Sequence, residues 1–202
     1  MSDPRWIVGV SGASGAPYAR RLLELLAIRG CPVEVVVTRA GAALLAEELG
    51  VTVSPEDPLQ GVESMIGRRL EGSHGHAWND VGASISSGSY PVRGMVVCPC
   101  SGGALGSIAA GISSDLLQRA ADVQLKERRP LLLVTREMPL STIHLENMLR
   151  VTRAGAVVMP ASPGFYHRPT EIDDLVDFVV HRILDQMGLP DAAAPRWRAE
   201  PE

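Results

Sequence analysis

The sequence predicts an α/β protein: a three-layer, doubly wound, mostly parallel sheet with helices on both faces. Three observations carry this expectation. Short apolar runs of strand length alternate along the chain with longer segments whose apolar residues recur at helical spacing. Runs such as Leu131–Val134 show no polar alternation, which suits parallel strands buried on both faces. Two strand-to-helix junctions, after Val10 and after Cys98, consist of glycines, small residues and hydroxyls.

The first strand is Trp6–Val10, followed by the small-residue turn Ser11–Ala16 and a helix over Tyr18–Ile28 carrying Leu22, Leu23, Leu25 and Leu26. A strand, a tight glycine-rich turn and a helix point free backbone N–H groups and the positive helix end at an anion. Gly12 and Gly15 let the backbone approach it, and Ser11 and Ser14 add hydroxyls. The spacing Gly9, Gly12, Gly15 matches neither the dinucleotide fingerprint nor the P-loop. The competing reading is a β–α turn whose glycines serve only close packing.

Gly30 and Pro32 break the helix, and Val33–Val37 is the second strand. It ends in Thr38-Arg39, where a NAD-binding domain would place an acidic residue for the ribose. Arg39 keeps a 2′-phosphate open, and Thr38 offers a hydroxyl to a phosphate or sugar. Ala40–Leu49 is a short helix ended by Gly50. Residues 51–80 are expected to be the least regular part, with His74 and His76 in a solvated loop rather than a metal site, and Trp78 as a lid or a core plug.

Ile85–Tyr90 is rich in hydroxyls, Pro91–Arg93 a turn and Gly94–Cys98 a buried strand. Cys100-Ser101-Gly102-Gly103-Ala104 then opens a helix over Leu105–Ala110, a second anion-facing turn. Cys98 and Cys100 form C-x-C, poor for zinc or dithiol exchange; Cys100 reads as a small buried residue, with a thiol nucleophile as the alternative. Ser114 is a candidate N-cap for an amphipathic helix Leu116–Arg129, whose basic end offsets the macrodipole. The strand Leu131–Val134 leads into Thr135-Arg136-Glu137-Met138-Pro139, and charged residues at that edge of a sheet are placed for chemistry. A helix Ser141–Arg153, a strand Ala156–Met159, a proline-bounded segment holding Phe165, Tyr166, His167 and Arg168, and a helix Glu171–Met187 with Arg182 complete a domain expected over 1–190. A tail, 191–202, contains Trp197.

Its 202 residues suit one domain. A net charge of −4 argues against a general nucleic-acid or membrane surface. Three cysteines make no disulfide framework. No signal pattern appears and no apolar run approaches ~18 residues, so a cytoplasmic protein is expected.

Seven ordered stretches carry a family resemblance: Gly9–Ala16, Ser87-Gly-Ser89, Val97–Ser101, Arg119–Pro130, Arg136–Leu140, His144–Leu149 and Gly164–Pro169. Together they resemble the flavin prenyltransferases of the UbiX type, from about residue 5 to about residue 190. The resemblance implies a Rossmann-like flavoprotein fold. It implies transfer of a dimethylallyl group from dimethylallyl monophosphate to N5 and C6 of reduced FMN, without a metal. The product would serve a partner decarboxylase in the ubiquinone or aromatic-acid pathways, and the enzyme would be a large homo-oligomer, a dodecamer, with sites between subunits. Carried over to this chain, the family's pattern puts FMN against Gly12, Ala13, Ser14, Thr38, Ser101, Gly102, Gly103, Ala104 and Arg136. Lys126, Arg136, Tyr166 and Arg182 would clamp the substrate, with a neighbouring subunit as one source of Lys126 and Arg119. Glu137 is the candidate for proton work, with Lys126 and Ser14 also catalytic. Trp78, Tyr166 and Trp197 would shelter an allyl cation. Thr38 stands where serine is usual, and Gly102-Gly103-Ala104 replaces a bulkier stretch, leaving backbone contacts there.

Three other functions stay open on the residues. A flavin-dependent cysteine decarboxylase would need a histidine just after the first β–α unit and a reactive cysteine in a flap, and the sequence offers neither there. A non-catalytic FMN-binding subunit would not need a second phosphate clamp. An NADP oxidoreductase rests on Arg39 alone.

Overall fold

Among the described residues six strands pair side by side, all in parallel, in the order β3-β2-β1-β4-β5-β6. They are β1 (Arg5–Val10), β2 (Val33–Val37), β3 (His74–His76), β4 (Val92–Cys100), β5 (Leu131–Thr135) and β6 (Val157–Pro160). The helices are α1 (Ala16–Ile28), α2 (Arg39–Leu49), α3 (Pro58–Ile66), α4 (Gly102–Ala110), α5 (Leu116–Lys126), α6 (Thr142–Arg153) and α7 (Ile172–Gln186). This computed structural model describes residues 5–191, 194 and 197.

The strands hold because their apolar side chains are covered on both faces. Val8, Val10, Val35, Val37, Val96, Leu132 and Val134 face one core with Leu22, Leu23 and Leu26 of α1, Val62 of α3 and Val180, Ile183 and Leu184 of α7. Ile7, Val36, Met95, Val97, Leu131 and Leu133 face the other, under Leu105 of α4 and Leu116, Leu117 and Ala120 of α5. Each fully buried leucine in these layers contributes roughly 1.5–3 kcal/mol against exposure. The result is the expected three-layer doubly wound arrangement.

The chain winds from β1 outward to β2 and β3, then returns to β4 and winds the other way through β5 and β6. Order reverses between β1 and β4, so the loops leaving their carboxyl ends part and leave a crevice there. Ser11 pins the two strands at that point. Its hydroxyl donates to the Pro99 carbonyl at 2.9 Å and accepts the Ser101 amide at 2.8 Å. The Ser11 hydroxyl, expected to face a ligand, is thus engaged within the sheet.

Several elements depart from expectation. Residues 51–80 contain α3 and the edge strand β3, so His74 and His76 stand on a strand rather than in a loop. β4 starts earlier and runs further than the apolar run Gly94–Cys98 suggests. Asp115, not Ser114, caps α5, its carboxylate accepting the Gln118 amide at 2.8 Å. That helix stops at Lys126, and Arg128 turns left-handed at φ 55°. Arg129 then folds back to donate to the carbonyls of Gly88 at 2.6 Å and Tyr90 at 3.1 Å.

Candidate active site

The first junction is shaped by Gly15, whose φ of 126° is a conformation side chains resist. It turns the chain so that the amides of Gly15 and Ala16 point out of the start of α1. Both are already satisfied: the Glu48 carboxylate, from α2, accepts Gly15 N–H at 3.0 Å and Ala16 N–H at 2.8 Å. An internal carboxylate therefore sits where the sequence suggests an external anion. Burial pushes the Glu48 pKa up, but the Ser14 hydroxyl, the two amides and the nearby Arg136 charge outweigh this and hold it below the usual range. Arg136 in turn donates from Nε to the Ser14 carbonyl at 3.1 Å. Ser14, Glu48 and Arg136 thus form one constellation at the carboxyl ends of β1 and β5. In the sequence Glu48 carries no mark of this role: it stands near the end of an alanine-rich helix.

Beside this lies a cleft of about 240 Å³ between the ends of β1, β2 and β4. Three helices begin at its wall, and each is capped by a side chain. Thr38 Oγ1 accepts the Gly41 amide at 3.0 Å, Ser101 Oγ accepts the Ala104 amide at 3.1 Å, and Asp115 caps α5. A capping hydroxyl spends an acceptor lone pair and keeps its O–H free to donate. The first amides of α2 and α4, including Ala40, Gly102 and Gly103, have no carbonyl one turn before them. Gly12 allows the approach of α2, for a Cβ there would meet the Ala40 Cβ at 2.5 Å. The cleft thus offers hydroxyls, amides and two positive helix ends to an anionic ligand.

Its outer wall is Trp78, with the Arg39 guanidinium 4.6 Å from the ring centre. The Trp78 indole N–H is buried and has no partner among the described residues. An aromatic plate, a stacked cation and an unspent donor suit a ligand that is planar in one part and anionic in another. Asp115 closes the cleft; burial raises its pKa against the opposing pull of the Gln118 and Leu117 amides.

On the other side of the constellation, Arg136 and Glu137 border a second hollow of about 250 Å³, with Met138, Leu140, Met148 and Pro160 as apolar walls. Glu137 is exposed. A Cβ on Gly102 would lie 3.7 Å from Glu137 Oε2 and 3.0 Å from His144 Nε2, so Gly102 is where α4 admits both. His144 is held by a capping box with Ser141, its Nδ1 accepting the Ser141 amide at 3.3 Å.

Other expected site residues lie elsewhere in the chain. Lys126 precedes β5 and Arg136 follows it, so the five residues of that strand, roughly 16 Å, separate them. Lys126 pairs with Glu127 beside Gly88, bringing it to the Ser87–Ser89 turn at the opposite edge of the sheet. Arg119 pairs with Asp122 at 2.9 Å, and Arg182 with Asp185 at 2.7 Å on α7. Tyr166 packs edge-on against Phe178 and Trp197. A single chain therefore does not bring Lys126 to Arg136, in keeping with the expectation that a neighbouring subunit is one source of Lys126. Cys98 and Cys100 are buried, and burial pushes the Cys100 thiol up to about 12, which removes it as a nucleophile.

A doubly wound sheet whose switch-point crevice gathers helix N-termini, capping hydroxyls and an aromatic wall defines a mononucleotide-binding α/β protein. The comparisons agree. Residues 1–184 match the Flavoprotein family. The flavin prenyltransferase UbiX of Pseudomonas aeruginosa is 45% identical over 202 residues, covering 98% of this chain and 96% of that protein. A crystal structure of AnUbiX (PadA1) in complex with FMN and dimethylallyl pyrophosphate superposes with a TM-score of 0.84 at 38% identity, covering 98% of this chain and 99% of that one. A dodecameric FMN-dependent UbiX-like decarboxylase from Escherichia coli O157:H7 also gives 0.84, at 42% identity, covering 96% and 100%. The chain belongs to the UbiX family of flavin prenyltransferases. The oxidoreductase reading rested on Arg39, and that side chain lies against Trp78.

Proposed function

We propose that this protein transfers the dimethylallyl group of dimethylallyl monophosphate to N5 and C6 of reduced FMN, using a site completed by a second copy of the chain. The observation that carries the reading is the adjacency, at one sheet edge, of an anion-binding cleft with an aromatic wall and the Ser14–Glu48–Arg136–Glu137 constellation. The residues of the cleft fit FMN. Gly12, Ala13, Thr38, Ser101, Gly102, Gly103 and Ala104 supply close-approach backbone, hydroxyls and helix amides for its phosphate and ribityl oxygens, and Trp78 an indole donor left unspent. Reduced FMN supplies the nucleophilic ring atoms of the reaction.

Breaking the allylic C–O bond sends the electron pair to the departing phosphate. Cations and O–H donors set in place before that moment stabilise the developing charge. Arg136, anchored to the Ser14 carbonyl, is held for this task, and the Ser14 hydroxyl, which bonds Glu48 in the ligand-free chain, would turn to the phosphate alongside it. Glu137, exposed at the lip and within reach of the space above Gly102, is the group that moves a proton, to the phosphate or from the ring carbon where the second bond forms. The apolar walls, Met138, Leu140 and Met148, exclude water from an allyl cation.

Lys126 and Arg119 are supplied by a neighbouring copy, since β5 keeps Lys126 away from Arg136 within one chain. Tyr166 and Arg182 complete the clamp. The surface supports assembly: Met138, Ile143, Leu145 and Leu149 are each at least half exposed, an apolar face on and before α6 that a second copy would cover. A dodecamer fits this reading. The product would pass to a decarboxylase that uses the modified flavin, in the cytoplasm. Among the described residues no helix is long and apolar enough to cross a membrane. The experiment is metal-free anaerobic turnover of reduced FMN and the monophosphate by wild type, Arg136→Ala and Glu137→Gln. Wild type turns over while both variants bind FMN and stall.

A further inference from the structure

Glu34 is the one charged residue of β2, and it is fully buried. A buried carboxylate is costly unless every lone pair is met. This one is met by four side chains from three segments of the chain. Tyr90, just before β4, donates its hydroxyl at 2.7 Å. His76 Nε2 lies at 2.6 Å and His74 Nδ1 at 3.2 Å, both on β3. Arg5, at the start of β1, approaches to 3.5 Å and also donates to the Gly72 carbonyl at 2.9 Å. Burial alone raises the Glu34 pKa, but the bonds from His76, Tyr90 and His74 reverse this and keep it ionised. Among the described residues no group of histidine, cysteine and carboxylate side chains is placed to hold a metal ion, and the Arg5 charge would oppose one here.

What the cluster holds is β3. That strand is three residues long, lies at the edge of the sheet and, among the described residues, pairs only with β2. So short an edge strand is weakly held by its own ladder. Glu34 adds two side-chain ties, one to each end of it. Two residues beyond His76 the chain reaches Trp78, whose amide donates to the Pro55 carbonyl at 2.9 Å and whose carbonyl accepts the Leu116 amide at 2.8 Å.

We propose that Glu34 is a positioning residue for the flavin cleft: by clamping β3 from below the sheet edge, it fixes Trp78 as the cleft's outer wall. The inference rests on the reading that this cleft receives FMN. Its action is indirect, through the strand and not through contact with ligand.

The test is a double-mutant cycle between Glu34→Gln and Trp78→Ala on the full chain, read by FMN affinity and by hydrogen exchange of the flavin-free protein. Tyr90→Phe, which removes one donor only, runs in parallel should Glu34→Gln fail to fold. Glu34→Gln is expected to weaken FMN binding about tenfold in the wild-type background and to have little further effect once Trp78 is gone. Exchange at residues 74–78 and at Leu116 rises without flavin present. Effects of the two substitutions that multiply, or unchanged exchange at Trp78 and Leu116 in a folded variant, would overturn the proposal. Absence of FMN binding by wild type would instead sink the flavin reading, while the exchange result still decides the clamp.

Discussion

The Glu48 carboxylate accepts the Ala16 amide at 2.8 Å, capping α1 from a different helix. A carboxylate at a helix start is stabilising because it meets orphan amides and the positive end of the dipole. Its pKa is held low, so its contribution is present above the ordinary carboxylate pKa and lost as pH falls through the lower folded-state value. Glu48→Gln is therefore expected to cost about 0.5–1 kcal/mol near neutrality, the low end because the group is solvated. Denaturant unfolding at neutral pH and below about pH 4 checks this, since the gap between wild type and variant closes in acid.

Gly12→Ala is expected to lower stability by roughly 1–3 kcal/mol, because the new methyl meets Ala40 at 2.5 Å where α2 begins. Thermal unfolding reads the loss. FMN titration reads the displacement of the Thr38 cap, as weaker binding.

Glu137→Gln is expected to leave FMN binding unchanged and to reduce turnover by roughly 10²–10⁴, the range for loss of a positioned proton carrier. Single-turnover kinetics under anaerobic conditions separate the two. Weaker FMN binding with normal turnover would assign Glu137 to the flavin instead.

If Lys126 reaches the site from a second copy, two inactive variants rescue each other. Co-expressed Lys126→Ala and Glu137→Gln subunits form mixed oligomers in which about a quarter of the sites carry both intact residues. Activity near that fraction of wild type is expected from the mixture, and at most about a hundredth of wild type from either variant alone.

Much of this was legible in the sequence, for identifiable reasons. The apolar runs at Trp6–Val10, Val33–Val37 and Leu131–Val134 become strands because burial on both faces leaves no other use for them. Thr38 and Ser101 could be placed at strand ends because each stands between such a run and a helical segment. β3 could not be seen: three residues, His74–His76, carry no periodicity, and the strand exists through pairing with β2 and through Glu34. The signal that was available is the charge of Glu34 inside an apolar strand, which demands partners. Glu48 was hidden because a glutamate on a helix surface has no local mark of the turn it caps. The separation of Lys126 from Arg136 follows from the direction of β5, yet a clamp assembled across subunits leaves no trace in the order of residues along one chain.

The most direct measurement is the mass of the flavin released after anaerobic incubation of the purified protein with reduced FMN and dimethylallyl monophosphate. The account predicts a gain of one C5H8 unit. Unmodified FMN, recovered with either the monophosphate or the diphosphate as donor, would contradict it.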